Sequence, residues 1–113
     1  MIPTQVNVLG IPYRITKPDR IMVDGQNGDG AVTYNIALIE IVDGMPIEVE
    51  RPVVLHEVLH AMFKGQGQND YRSDENLIEA IAHGMVQILR DNPALVAYLT
   101  ASIVTAAQAA GEG

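Results

Sequence analysis

The chain contains no cysteine, which removes disulfides, zinc ribbons and thiol nucleophiles in one step. Any zinc it binds must be held by histidine and carboxylate, and there are only three histidines. Positive charge is scarce as well. Seven Lys and Arg stand against fourteen Asp and Glu, for a formal net charge of -7, and the seven are scattered along the chain. Binding to phosphate backbones needs clustered cations, so no nucleic-acid partner is expected. Long apolar runs are missing: nothing approaches the roughly 20 residues that span a bilayer. The opening MIPTQVNVLG lacks the basic region and apolar segment of a secretion signal. No membrane partner is expected. At 113 residues the chain suffices for one modest core and is too short for two, so residues 1–113 are read as a single domain.

The first half, residues 1–46, reads as strands. Val6 to Leu9 and Tyr13 to Thr16 are short β-type runs separated by Gly10 and Pro12, a pair joined by a tight turn. The stretch DGQNGDG, Asp24 to Gly30, is turn-rich and is read as a plain hairpin or loop; it lacks the alternating oxygen ligands and final glutamate of a calcium loop. Ala31 to Tyr34 and Ala37 to Val42 add two further strands, and a mostly antiparallel sheet is expected.

The second half, residues 51–107, reads as three helices. Because proline is tolerated in a helix's first turn, Pro52 places the start of the first near Arg51, with its end at Lys64 before Gly65 and Gly67. Ser73 is the expected N-cap of the second, with Asp74 and Glu75 in its first turn and a buried stripe of Ile78, Ile81, Ala82, Met85, Ile88 and Leu89. Asn92 and Pro93 open a third helix reaching about Ala107, and residues 108–113 are read as a frayed tail. Strands followed by helices make an α+β domain.

Within the first helix lies VVLHEVLHAMF, Val53 to Phe63. His56, Glu57 and His60 spell H-E-x-x-H, which ordinary residue usage would produce in a chain this long roughly a few times in a thousand. Positions four apart share a helical face, so both imidazoles reach one ion. Glu57, one residue past the first ligand, stands beside a water in an open position rather than in the two-histidine grip. That is the arrangement of metal-assisted hydrolysis, with Glu57 as catalytic base.

A catalytic zinc takes a third protein ligand, and the second helix offers Glu75, Glu79 and His83 at successive steps of four. Folding back against the first helix, it brings its middle to the two histidines. Glu79, standing centrally, is the preferred ligand and Glu75 the main rival. His83 is either a hydrogen-bonding group behind the ligands or itself a third histidine ligand.

These residues resemble the gluzincin metallopeptidases, in which two histidines of H-E-x-x-H and a glutamate from a following helix hold zinc. Thermolysin-like enzymes carry that glutamate in a Glu-Ala-Ile-x-Asp context, which looks like Glu79, Ala80, Ile81, Ala82 and His83, with His83 in place of an aspartate that orients a ligand histidine. The chain is also similar, over most of its length, to small phage and prophage proteins of the ImmA/IrrE-like type: in VNVLGIPYRI, in LHEVLHAM, in the acidic start of the second helix and in ILRDNP. The resemblance implies a minimal zincin-like α+β domain, a few strands on three helices. It further implies a Zn²⁺-dependent peptidase with metal ligands His56, His60 and Glu79 and base Glu57. Its substrate would be a protein or peptide, in phage regulation and in the cytoplasm, the host's if the chain is phage-encoded. The alternative expectation is a non-catalytic interaction or regulatory module stabilised by zinc.

Overall fold

The computed structural model describes residues 1–102 and has the expected α+β order, a mixed sheet followed by helices. Strands β1 (Gln5–Val8), β2 (Ile11–Thr16), β3 (Ile21–Val23), β4 (Gln26–Gly28), β5 (Gly30–Thr33) and β6 (Leu38–Ile41) precede α1 (Ile47–Gly65), α2 (Asn69–Arg72), α3 (Glu75–Asp91) and α4 (Pro93–Thr100). A four-stranded sheet runs in the order β1-β2-β6-β5, and β3 pairs with β4 in a separate hairpin.

Three of the four strand pairs are antiparallel, and β2 with β6 is parallel. The parallel pair comes from the long connection between them, which accommodates the β3–β4 hairpin and β5 before β6 returns beside β2. Its register sets Ile15 opposite Ile39, both buried. The expected loop at Asp24 to Gly30 contains the β3–β4 turn. Asp24 and Gly25 have φ of 51° and 79°, the paired left-handed residues of a two-residue hairpin whose twist matches that of its strands. A tight Tyr34–Ile36 turn of 3-10 helix then reverses the chain from β5 into β6.

α1 is apolar on two sides because it is buried on two sides. Val53, Val54, Val58, Ala61 and Met62 pack on the sheet residues Val8, Tyr13, Ile15, Ile39 and Ile41. On another side Leu59, with Leu55 and Phe63, packs on Ile78, Ile81 and Ala82 of α3. The helix therefore lacks the single stripe of a surface helix, whereas α3 is strongly one-sided.

Several helix boundaries differ from expectation. α1 begins at Ile47, not near Arg51, so Pro52 lies inside it. The Pro46 carbonyl accepts from Val49 and Glu50 N–H at 2.9 Å each. Buried Glu50 then meets Lys17 Nζ at 2.6 Å, an anchor that holds the added turn despite the donor missing at Pro52. The linker before α3 folds into the single turn α2, whose end takes Ser73: its hydroxyl donates to the Asn69 carbonyl at 2.8 Å. The N-cap of α3 is consequently Asp74, which accepts from Leu77 N–H at 3.0 Å. Asn92 precedes α4, but its amide donates to the Ile88 carbonyl at 2.8 Å instead of capping the new helix. α4 ends at Thr100, short of Ala107, with Ala101 extended; residues 103–107 and the tail lie outside the described residues. Among the described residues no helix is long and apolar enough to cross a membrane.

Ile39 is 0% exposed at the centre of the sheet. Ile39→Ala should lower the urea-unfolding free energy by about 2–5 kcal/mol, whereas Leu99→Ala, at 60% exposure on α4, should change it by no more than about 0.5 kcal/mol. Equal losses would contradict this placement of the core.

Candidate metal centre

One turn of α1 separates His56 from His60, and the two rings converge until their Nε2 atoms are 3.2 Å apart. Glu75, in the first turn of α3, faces both: Oε2 lies 3.0 Å from His56 Nε2 and Oε1 lies 3.0 Å from His60 Nε2. The edge of a tetrahedron with metal–ligand bonds of 2.0–2.1 Å is about 3.3 Å, so these spacings fit donors around one small cation.

The chemistry of the donors points the same way. Glu79 Oε2 lies 2.8 Å from the other ring nitrogen of His56, Nδ1. A carboxylate only accepts, so Nδ1 carries a hydrogen, and in that tautomer Nε2 holds the lone pair. That lone pair faces a second imidazole nitrogen and a carboxylate. Protonating His60 is disfavoured, because burial first of all, and then His56, hold its pKa down against the opposing pull of Glu75 and of a backbone hydrogen bond to Arg72. With the lone pair of His60 also at Nε2, a shared cation satisfies all three groups together; with the hydrogen there, His60 donates to Glu75. His56, Glu57 and His60 form a group able to hold a metal ion.

Glu57 stands differently from His56, His60 and Glu75. Its Oε1 is 3.9 Å from His56 Nε2, beyond hydrogen-bond range, and the residue is 7% exposed. Burial pushes its carboxyl up from 4.5 to about 7; Glu75 and Glu79 push the same way and His56 opposes them. Gly30 makes this placement feasible. A Cβ added there would stand 3.0 Å from both Glu57 Cγ and Val53 Cγ1, tighter than ordinary contact, so β5 passes close over α1 at this point.

The three sequence candidates on α3 are all brought to α1, in distinct positions. Glu79 lies behind His56 and not in the gap between the Nε2 atoms, which Glu75 occupies. The shift of one turn follows from α2: with the linker wound into a helix, the first turn of α3 is already level with His56 and His60. His83 is farther out, its Nε2 2.7 Å from Glu79 Oε1, with its side chain 59% exposed. Tyr71 packs at a tilt on Phe63 with ring centroids 5.7 Å apart.

No family model, curated protein or solved structure matches the chain. The site is therefore argued from its own geometry. A cleft of about 470 Å³ opens onto Glu57, His60 and Glu75, with Val23 and Asp24 of the hairpin and Gly30 to Val32 and Tyr34 as its other walls. Sequence reasoning missed Asp24, Gly30 and Arg72. The glycine-rich run around Asp24 carried a turn signal for the first two, and Arg72 had none. A groove of about 390 Å³ on another side of α1, between Ile2, Val6, Val54 and Val58, is mainly apolar and contains no histidine.

A pH dependence of the metal-free protein follows from Glu57. A carboxyl raised in the folded chain contributes stability that is fully present below its ordinary 4.5 and is lost as pH rises through about 7. Neutral, isosteric Glu57→Gln should match the wild type near pH 4 and exceed it at pH 8 by up to about 3 kcal/mol in chelator-treated urea melts. A difference that does not change with pH would contradict the buried carboxyl.

Proposed function

We propose that the protein is a small zinc-dependent peptidase in which His56, His60 and Glu75 hold the ion and Glu57 is the general base. The observation that carries this reading is the convergence of three metal-facing donors beside a buried carboxylate that is free of ligand duty and opens onto a cleft. The third ligand is thereby moved from Glu79 to Glu75. Glu79 then takes the orienting role: by accepting from Nδ1 it fixes the tautomer and direction of His56, as partners behind metal-bound histidines commonly do.

When bound, zinc supplies Lewis acidity, bringing the pKa of a coordinated water toward neutrality and polarising a carbonyl oxygen. Glu57 takes a proton from the water as its oxygen attacks the peptide carbonyl carbon. It then delivers that proton to the leaving nitrogen as the C–N bond breaks. Water exclusion by Val53 and Gly30 around the Glu57 side chain keeps the base where a pKa near 7 suits both transfers. Closure by a fourth protein ligand would mark a structural zinc; the open cleft and the 67% exposure of the Glu75 side chain favour the catalytic reading. A protein or peptide substrate, a cytoplasmic location and a phage regulatory setting belong to the same proposal, and rest on the resemblance alone.

Zinc competition assays and peptide cleavage test the assignments together. Glu57→Gln should lower cleavage by about 10²–10⁴-fold with zinc still bound. Glu79→Ala should weaken zinc by about 10–100-fold, and Glu75→Ala by more than Glu79→Ala. Tighter zinc in Glu75→Ala than in Glu79→Ala would return the ligand role to Glu79, and undiminished cleavage by Glu57→Gln would remove it as the base.

A further inference from the structure

One carboxylate on the cleft wall serves neither the proposed metal centre nor the fold. Asp24 lines the cleft together with Glu57, His60 and Glu75, and among the described residues its side chain has no hydrogen bond or ion pair. Its backbone φ of 51° suits Asn as well as Asp, and Asn-Gly closes a two-residue hairpin as readily as Asp-Gly. The turn therefore accounts for a short polar side chain there and not for its charge. The support beneath it is fixed: Ile21 of β3 is 5% exposed, and Gly28 lets Val23 lie close across the hairpin, since a Cβ added there would stand 2.8 Å from Val23 Cγ2. Apart from its polar groups the cleft is lined by Val23, Ala31 and Val32, and no Lys or Arg belongs to its wall. Lys64 and Arg72 lie over the Tyr34 ring instead.

We propose that the cleft selects peptides with a Lys or Arg side chain in the stretch it covers, the cation paired with Asp24 and the methylene stem laid on Val23, Ala31 and Val32. The proposal rests on the peptidase reading and names its substrate class. Both parts of the wall enter the argument. An apolar surface alone takes any aliphatic side chain, whereas Lys and Arg cover such a surface with their stems and keep the charged head in water. Glu75 and Glu57 answer the two charges of a bound zinc, so Asp24 is the carboxylate left open to the substrate. An acidic side chain in the same place meets Asp24 as a like charge, which widens the discrimination. Because Asp24 is exposed, the pair is modest in strength and screened by salt.

The test uses the zinc-loaded full chain. Cleavage of a random-sequence peptide mixture, read by mass spectrometry of the new ends, locates the favoured position, and peptides with Lys, Gln or Glu at that position then give kcat/KM. At low salt Lys should exceed Gln by about 5-fold and Gln should exceed Glu. Both ratios should shrink toward one in about 1 M salt. Asp24→Asn, which keeps the turn, should bring the three peptides to within about 2-fold of one another, and Asp24→Gly, equally at ease at this φ, should do the same. Calorimetric binding of the three peptides to zinc-loaded Glu57→Gln, with and without Asp24→Asn, should show the same order and its loss without turnover. A wild type that cleaves with no preference for Lys or Arg, or a preference that survives Asp24→Asn and Asp24→Gly, would overturn the proposal and leave the peptidase reading standing. A zinc-loaded wild type that cleaves none of the mixture would overturn both.

Discussion

Two imidazole nitrogens 3.2 Å apart, both 3.0 Å from one carboxylate, bring three lone-pair-bearing groups to a point that a shared proton or a shared cation can bridge. The rest of the molecule is built to maintain this arrangement. α1 is fixed on one side by the sheet and on another by Leu59, Ile78 and Ala82. With two packed sides, the helix has little freedom to rotate and carry the histidines away from α3. The single turn α2 sets the starting level of α3, which is what places Glu75 in the gap and Glu79 behind His56. A small core thus holds buried Glu57 and His60 and half-buried His56 in one register against the exposed Glu75 and Glu79.

The same packing gives the proposed base its setting. Glu57 follows His56 by one residue, so the α1 rotation that turns His56 toward α3 turns Glu57 toward β5. Gly30 lets that strand close over it, and the resulting desolvation pushes the carboxyl up to about 7. The proposed ligand and base are separated by adjacency along one helix combined with different neighbours on its two sides. Tyr34 completes the cleft from the strand side, where the turn between β5 and β6 brings it among Lys64 and Arg72.

The parts of this site that were legible in the sequence are those set by local periodicity. Helical spacing alone puts His56 and His60 on one face, and the alternation of strand residues located most of the sheet. What was not legible depends on contacts between distant segments. Glu79 looked central when the linker was treated as a loop; winding Asn69–Arg72 into a helix moved the register by a turn. Pro52 argued for a later helix start, and the ion pair of Lys17 with buried Glu50 overrode it. The parallel pairing of β2 with β6, the fit of Gly30 over Glu57, and the place of Arg72 beside Tyr34 each join residues far apart in the chain, for which no single-segment pattern exists.

The most direct measurement is a crystal structure of the zinc-loaded protein with anomalous data collected on both sides of the zinc edge. The account predicts one zinc per chain bonded to Nε2 of His56, Nε2 of His60 and a carboxylate oxygen of Glu75. Glu57 should stand off the ion across a solvent position, with Glu79 still on Nδ1 of His56. An ion bonded to Glu79 in place of Glu75, a fourth protein ligand closing the cleft side, or no anomalous peak between the two histidines would contradict it.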